Sequence, residues 1–204
     1  CGYWTHGVLP GIVKKHLGAD GLPVPAFSNS EESWLVNHDL FAMNVIGHDP
    51  VLPTDNFYRW FHEVPGLSKR IDGRTLTFVR TGDNTYTYGG QNIYPLDDVA
   101  GIDESDVQLL GWDGEHHNFN FTAHLSFAVK VEAGGGELFE FSGDDDVWFF
   151  LNDQLVLDIG GMHGAINGKF SINEDGTLTT YVEKVNDLAI RDDSWTACLK
   201  DSAY

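Results

Sequence analysis

The stretch FSGDDDVWFFLNDQLVLDIGGMHG, from Phe141 to Gly164, sets three consecutive aspartates between a strand-like run and a dense group of aromatic and aliphatic residues. The run before the aspartates, Glu137–Gly143, follows a glycine-rich turn and predicts a strand that runs back along the chain before it. The run after them, Val147–Gly161, predicts a hairpin that turns at Asn152–Asp153, because these residue types favour tight turns. The stretch therefore predicts short antiparallel strands on both sides of an acidic turn.

The same period of two extends in both directions along the chain. His117–Ala133 predicts one long strand, with apolar side chains at every second position. Upstream, Thr75–Arg80 and Thr85–Gly90 alternate around the turn residues TGDN and predict a hairpin. Downstream, the segments GKFSINE and GTLTTYVEKV predict two more strands. Short alternating strands joined by glycine-rich turns are typical of a β-sandwich.

One segment has the period of a helix instead. Between Asp55 and Gly66, apolar residues recur at i, i+3, i+4 and i+7, which places them on one face of a short amphipathic helix. Asp55 suits the N-cap, and Pro65–Gly66 predicts the end of the helix. The fold expected is all-β, a β-sandwich with one or two short helices, and residues 1–204 show no domain boundary.

Composition narrows the class of protein. The chain has 204 residues, 42% of them hydrophobic, and a formal charge of −19, with a sequence pI near 4.5. This charge argues against nucleic-acid binding, since phosphate-binding surfaces are built from Lys and Arg. It suits an extracellular protein that collects divalent cations. No apolar run approaches the roughly 18 residues of a membrane span.

The two cysteines leave two questions open. Cys1 and Cys198 lie near opposite ends of the sequence, and spacing alone does not decide whether they pair. The chain begins with Cys rather than Met, so we expect a processed or excised piece. A mature bacterial lipoprotein also begins with Cys, and anchoring through Cys1 is an alternative.

The triple aspartate allows two interpretations. A solvated turn is the simpler one, because Asp is common where strands turn. The other is a calcium site, since calcium takes about 6–8 oxygen ligands and neutralises carboxylates that would otherwise repel each other. Neighbouring side chains of a strand point to opposite faces, so two adjacent aspartates share an ion only where the backbone departs from strand geometry, as at a cis peptide.

The segment GDDDVWFFLNDQLVLDIGGMHG resembles the fibro-slime domain, a branch of the superfamily named for the anthrax protective-antigen module. FYRWFHEVPG, TYTYGGQNIYPLDD and HNFNFTAHLSFAVKVEAGGGELFEFSGDDD follow the order of its motifs, so the resemblance covers about residues 56–170. It implies a jelly-roll-like β-sandwich of secreted and surface proteins. In related adhesin and yeast flocculin lectins, two aspartates joined by a cis peptide hold a calcium ion that binds sugar hydroxyls. Asp144 and Asp145 match that pair; Asp146, where many relatives have Gly, either adds a ligand or faces solvent.

Further candidates come partly from the same resemblance and partly from the residues themselves. The chain lacks the Phe-x-Ala-Glu-Arg-like motif with which fibro-slime domains usually close, so the closing strand is expected beyond Tyr204 or displaced by an insertion. Asp192 and Asp193 are the candidates for a second ion-binding loop, with a solvated turn as the alternative. Asp158 and His163 are candidates for supporting contacts behind the ion. Trp112 and Trp195 lie in polar segments and are candidate platforms on which a sugar ring stacks.

These observations predict an extracellular or cell-surface, calcium-dependent module for carbohydrate binding or adhesion, in which ligand hydroxyls complete the shell of the ion. The alternative is a calcium-stabilised structural or assembly domain of a surface or matrix protein, without sugar binding. An enzyme is disfavoured, because the sequence has no Gly-x-Ser-x-Gly elbow and no Cys–His arrangement on a recognisable frame. Paired carboxylates keep a glycosidase or its accessory module as a third hypothesis.

Overall fold

The computed structural model of the protein describes residues 12–26, 53–89, 94–97, 99, 108–110, 116–118, 121–132, 134–143, 145–160, 165–184 and 195–198. The chain divides into two compact units. Unit 1 comprises Cys1–Tyr58 and Ser126–Tyr204, and unit 2 comprises Arg59–Leu125.

Antiparallel strands dominate the described ranges, and they contain a single helix, α1 (Pro53–Phe61). The strands in chain order are β1 (Val79–Gly82), β2 (Thr85–Thr87), β3 (Gln108–Leu110), β4 (His116–Asn118), β5 (Leu138–Gly143), β6 (Val147–Leu151), β7 (Gln154–Ile159), β8 (Ile166–Ile172), β9 (Thr177–Lys184) and β10 (Trp195–Cys198). No helix in this part of the chain is both long and apolar enough to cross a bilayer.

Among the residues that the structure describes, the main sheet of unit 1 has four antiparallel strands in the order β10-β9-β8-β5. Strand β8 shows why it forms, because Ile166, Phe170 and Ile172 are buried while Asn167 and Lys169 are exposed. One face of the sheet is therefore apolar and the other faces water. The predicted strands β5, β8 and β9 are confirmed.

The hairpin β6–β7 packs against the apolar face of that sheet. It turns at Asn152 and Asp153, whose φ angles of 48° and 62° suit the two central residues of a type I′ turn. Its Leu157 and Ile159 join residues of β8 and β9 in one buried cluster. The Thr180 hydroxyl of β9 also donates to the Val156 carbonyl of β7 at 3.0 Å. Two packed β layers around one core confirm the sandwich architecture of this unit.

A segment near the N-terminus extends the hairpin layer. Leu155 N donates to the Lys15 carbonyl at 2.9 Å, and Leu17 N donates to the Asp153 carbonyl at 3.0 Å. Residues Ile12 and Val13 of the same segment are only 8% and 3% exposed. Because its glycines and prolines hide any period, the sequence predicted no element here.

The described residues of unit 2 include two short antiparallel strand pairs. β1 pairs with β2 as predicted for TLTFVR and TYTYGG, but the ladder covers only Val79–Gly82 and Thr85–Thr87. β3 pairs with β4. The sequence did not predict this pair, because the acidic and glycine residues around both strands are typical of a loop. Helix α1 begins at Pro53 rather than at Asp55 and ends at Phe61, and Val64 instead forms a bridge with Ser68.

The prediction of one strand over His117–Ala133 was wrong. Of the part of this range that the structure describes, His117 and Asn118 belong to the short strand His116–Asn118, and residues 121–132 form no ladder. Alternation describes which side chains can share a face, whereas a strand also needs a neighbour that accepts its backbone hydrogen bonds. The opposite error concerns β10, which was not predicted and which pairs with β9 through Trp195–Cys198.

Candidate functional site

The acidic turn joins the two layers of unit 1, because β5 ends at Gly143 and β6 begins at Val147. Within the turn, Asp145 lies in a bend and is exposed, whereas Asp146 is partly buried. Asp144 lies outside the described residues. The turn therefore presents at least one carboxylate to solution at the point where the chain crosses from the sheet to the hairpin.

The donor chemistry of this turn suits calcium. Carboxylate oxygens are the hard ligands that calcium prefers, and Asp145 is accessible to an ion from solution. In the parts of the chain that are described, no three His, Cys, Asp or Glu side chains form a group able to hold a metal. Other ligands of such an ion would come from residues outside those parts, from water or from a bound molecule. The predicted cis peptide involves Asp144 and also lies outside them.

Asp158 lies directly across the hairpin from Trp148, two residues beyond the acidic turn. The Trp148 indole donates to Asp158 Oδ1 at 2.9 Å, and the same indole ring meets Phe57 edge-on with 6.3 Å between centroids. Both side chains are partly buried. Asp158, predicted to support the ion from behind, thus fixes the tryptophan that follows the acidic turn.

Removing this acceptor should destabilise the hairpin. We expect Asp158→Ala to lower the free energy of unfolding by about 1–3 kcal/mol, because the part-buried indole loses its charged acceptor. Asp158→Asn keeps an oxygen at the same place and should cost less. Urea denaturation followed by tryptophan fluorescence measures both variants, and equal losses would contradict a role as acceptor.

A contact in unit 2 was not predicted. The Asp97 carboxylate contacts His117 Nδ1 and accepts a bond from the Asn118 backbone amide at 3.1 Å. Tyr94 stacks on the His117 ring at 3.6 Å with 7° between the planes. Asp97, in the segment QNIYPLDD, thus anchors β4. The adjacent pair His116 and His117 was the only sign of this contact in the sequence, and only the fold brings Asp97 to His117.

The remaining predicted residues are placed only in part. Trp195 lies in β10, opposite Thr180, rather than in the expected polar loop. Cys198 ends the same strand, and its pairing with Cys1 stays open, because Cys1 is not among the described residues. The others outside the described ranges are Trp112, His163, Asp192 and Asp193.

Comparison with known proteins connects this geometry to a family. The chain is 37% identical over 176 residues to protein psiD of Dictyostelium discoideum, covering 85% of this chain and 31% of psiD. It is 34% identical to psiF over 192 residues and 33% identical to psiQ over 178 residues, both from the same organism, covering 90% and 83% of this chain. The chain thus spans under a third of the length of these relatives, 24% for psiF and 16% for psiQ.

No solved structure matches the chain. A family model does match, over residues 81–190, and its description is the PA14 domain. The matched range includes strands β5 to β9, the acidic turn and the core they enclose. The narrower assignment to the fibro-slime branch stays a prediction. The two-layered β architecture and a family match that covers more than half of the chain show that this chain belongs to the PA14 domain family.

Proposed function

We propose that this chain is an extracellular, calcium-dependent carbohydrate-binding module that serves adhesion, and that it acts through the acidic turn Asp144–Asp146. The observation that carries the proposal is the position of Asp145, an exposed carboxylate in a bend between the two layers of the sandwich. Membership of the PA14 family supports it, because PA14 domains are often carbohydrate-binding. The formal charge of −19 adds a field that attracts divalent cations.

Two groups of side chains would have separate roles in the site. The carboxylates of the turn would hold the ion, and Asp158, through Trp148, would keep the start of β6 in place behind them. A calcium ion bound there would supply open coordination positions for neighbouring hydroxyls of a sugar. Specificity would then come from the hydroxyl pattern of the ligand, so the site needs no deep pocket.

Neutralising one carboxylate of the turn tests the proposal. We expect saturating calcium, about 100-fold above its Kd, to stabilise the unmodified protein by about 2.7 kcal/mol. For a chain of this size that raises Tm by roughly 5–10 °C. Asp145→Asn should lose most of this shift and all glycan binding. Differential scanning calorimetry with and without calcium, together with a glycan array, measures both effects.

Asp153→Asn is the matched control. It makes the same change of charge in the neighbouring turn, and Asn tolerates the positive φ of 62° at that position. Its calcium response should equal that of the unmodified protein. Glycan binding that persists in chelator would contradict the proposal. A calcium shift without any glycan binding would favour the alternative, a calcium-stabilised structural domain of a surface protein.

A further inference from the structure

Trp148, the second residue of β6, follows the last aspartate of the acidic turn by two residues. On the hairpin, its indole nitrogen is bonded to Asp158. The same ring is also held from outside the hairpin, because it meets Phe57 of helix α1 edge-on. Phe57 is only 1% exposed, so this contact lies in the interior of unit 1. Any change that moves the indole should therefore move the start of β6.

The segment 12–26 reaches the same region from the N-terminal part of the chain. Its two arms pair with each other, because Lys14 N donates to the Val24 carbonyl at 2.8 Å and Ala26 N donates to the Ile12 carbonyl at 2.9 Å. Two further backbone bonds, described above, fix the segment to the hairpin. The Ile12 side chain is thus buried at a place that backbone bonds define.

Gly160, the residue after β7, lies where these contacts meet. A Cβ there would lie 3.2 Å from Ile12 Cδ1, 3.2 Å from Trp148 Nε1 and 3.3 Å from Asp158 Oδ1. Real Cβ atoms rarely have neighbours this close, so an added methyl would push them apart by a few tenths of an ångström. Ile12 and the bonded indole therefore keep their present positions only because residue 160 has no side chain.

We propose that Ile12, Phe57 and Gly160 are positioning residues, which hold the indole and, through it, the backbone of the acidic turn. Phe57 and Ile12 hold the indole from outside the hairpin, and Gly160 sets the space between Ile12 and the indole. Because Val147 and Trp148 begin β6, the position of the indole fixes the point at which the turn must end. The effect on calcium binding rests on the function proposed above.

This proposal extends the binding unit beyond the matched domain. The segments that supply Ile12 and Phe57 precede residue 81, where the match to the PA14 family model begins. The matched range contains the aspartates of the turn and Trp148, but not the side chains that hold the indole from outside. In this chain, segment 12–26 and helix α1 therefore belong to the unit that shapes the site.

Gly160→Ala tests this positioning in the full chain without calcium. We expect NMR spectra to show shifts of the Trp148 indole N–H, assigned by its loss in Trp148→Phe, and of the backbone amides of residues 145–147. Gly160→Ala/Ile12→Val removes the Cδ1 that the methyl meets and should return these resonances toward their original positions. Gly82→Ala is the matched control, because its nearest atoms would lie at 3.5 Å, and it should leave them unchanged.

Calcium affinity provides the second measurement, by isothermal titration calorimetry at a temperature at which circular dichroism shows each variant folded. Loss of the contacts behind metal ligands typically weakens metal binding by roughly 10–100-fold. We expect Gly160→Ala to raise the Kd for calcium about tenfold, and Gly160→Ala/Ile12→Val to recover most of that loss. Phe57→Leu keeps most of the buried volume but removes the edge-on contact, and it should change the resonances and the Kd in the same directions.

The two measurements separate this proposal from the function on which it rests. Resonances of residues 145–147 that stay in place in Gly160→Ala and Phe57→Leu, or that Ile12→Val does not restore, would overturn the positioning role. Shifted resonances with an unchanged Kd would overturn it too, because the indole would then not position the ligands of the ion. If the unmodified protein binds no calcium, the proposed function fails, and the resonances alone decide whether these residues hold the turn.

Discussion

Replacing Phe170 by alanine is expected to lower the free energy of unfolding by about 3–5 kcal/mol. The Phe170 ring is fully buried at 0% exposure, stacks on Phe139 at 4.7 Å and meets Phe149 edge-on at 4.8 Å. It therefore joins the main sheet to the hairpin layer, and its removal leaves a cavity that both rigid layers line. Urea denaturation followed by tryptophan fluorescence measures the loss.

Phe78→Ala is the control for Phe170→Ala, because it makes the same change at a ring that is 51% exposed in unit 2. We expect it to change stability by no more than about 0.5 kcal/mol. Phe170→Leu keeps most of the buried volume and should cost less than about 1.5 kcal/mol. Similar losses for Phe170→Ala and Phe78→Ala would show that Phe170 is not a central core residue.

The sequence predicted best where both the period and the turn chemistry agreed. β5, β6, β7, β8 and β9 each have alternating or continuous apolar side chains bounded by Gly, Asn or Asp, and all five are present. Residues 121–132 have the same period, yet their pairing depends on a neighbouring edge that no local pattern specifies. The prediction missed β10 for the opposite reason. The backbone of β10 pairs with β9 without requiring an alternating pattern in β10 itself.

The candidate site was predictable in its residue types but not in its contacts. Three adjacent aspartates allow a cation site as one of two interpretations from sequence alone, the other being a solvated turn. The hydrogen bond from the Trp148 indole to Asp158 depends on the register of β6 against β7. That register shifts between Phe149 and Phe150. The contact between Asp97 and His117 spans 20 residues, and no motif links the two.

Gly168 of β8 lies directly against side chains of the hairpin layer, and the smallest added side chain should disturb their packing. A Cβ there would lie 2.2 Å from Ile159 Cδ1 and 3.3 Å from Leu157 Cδ2, both in the core. Real Cβ atoms do not tolerate the first distance, so the hairpin layer must shift or Ile159 must leave its rotamer. We expect Gly168→Ala to cost about 1–3 kcal/mol in urea denaturation.

A double mutant separates this clash from other effects of the substitution. Ile159→Val removes the clashing Cδ1 and alone should cost about 0.5–1.5 kcal/mol. If the clash is the cause, Gly168→Ala/Ile159→Val should be clearly more stable than the sum of the two single losses predicts. Gly82→Ala, where the nearest atoms would lie at 3.5 Å, should be neutral or stabilising. Simple additivity of the two core substitutions would refute close contact between Gly168 and Ile159 and, with it, the packing of β7 on β8.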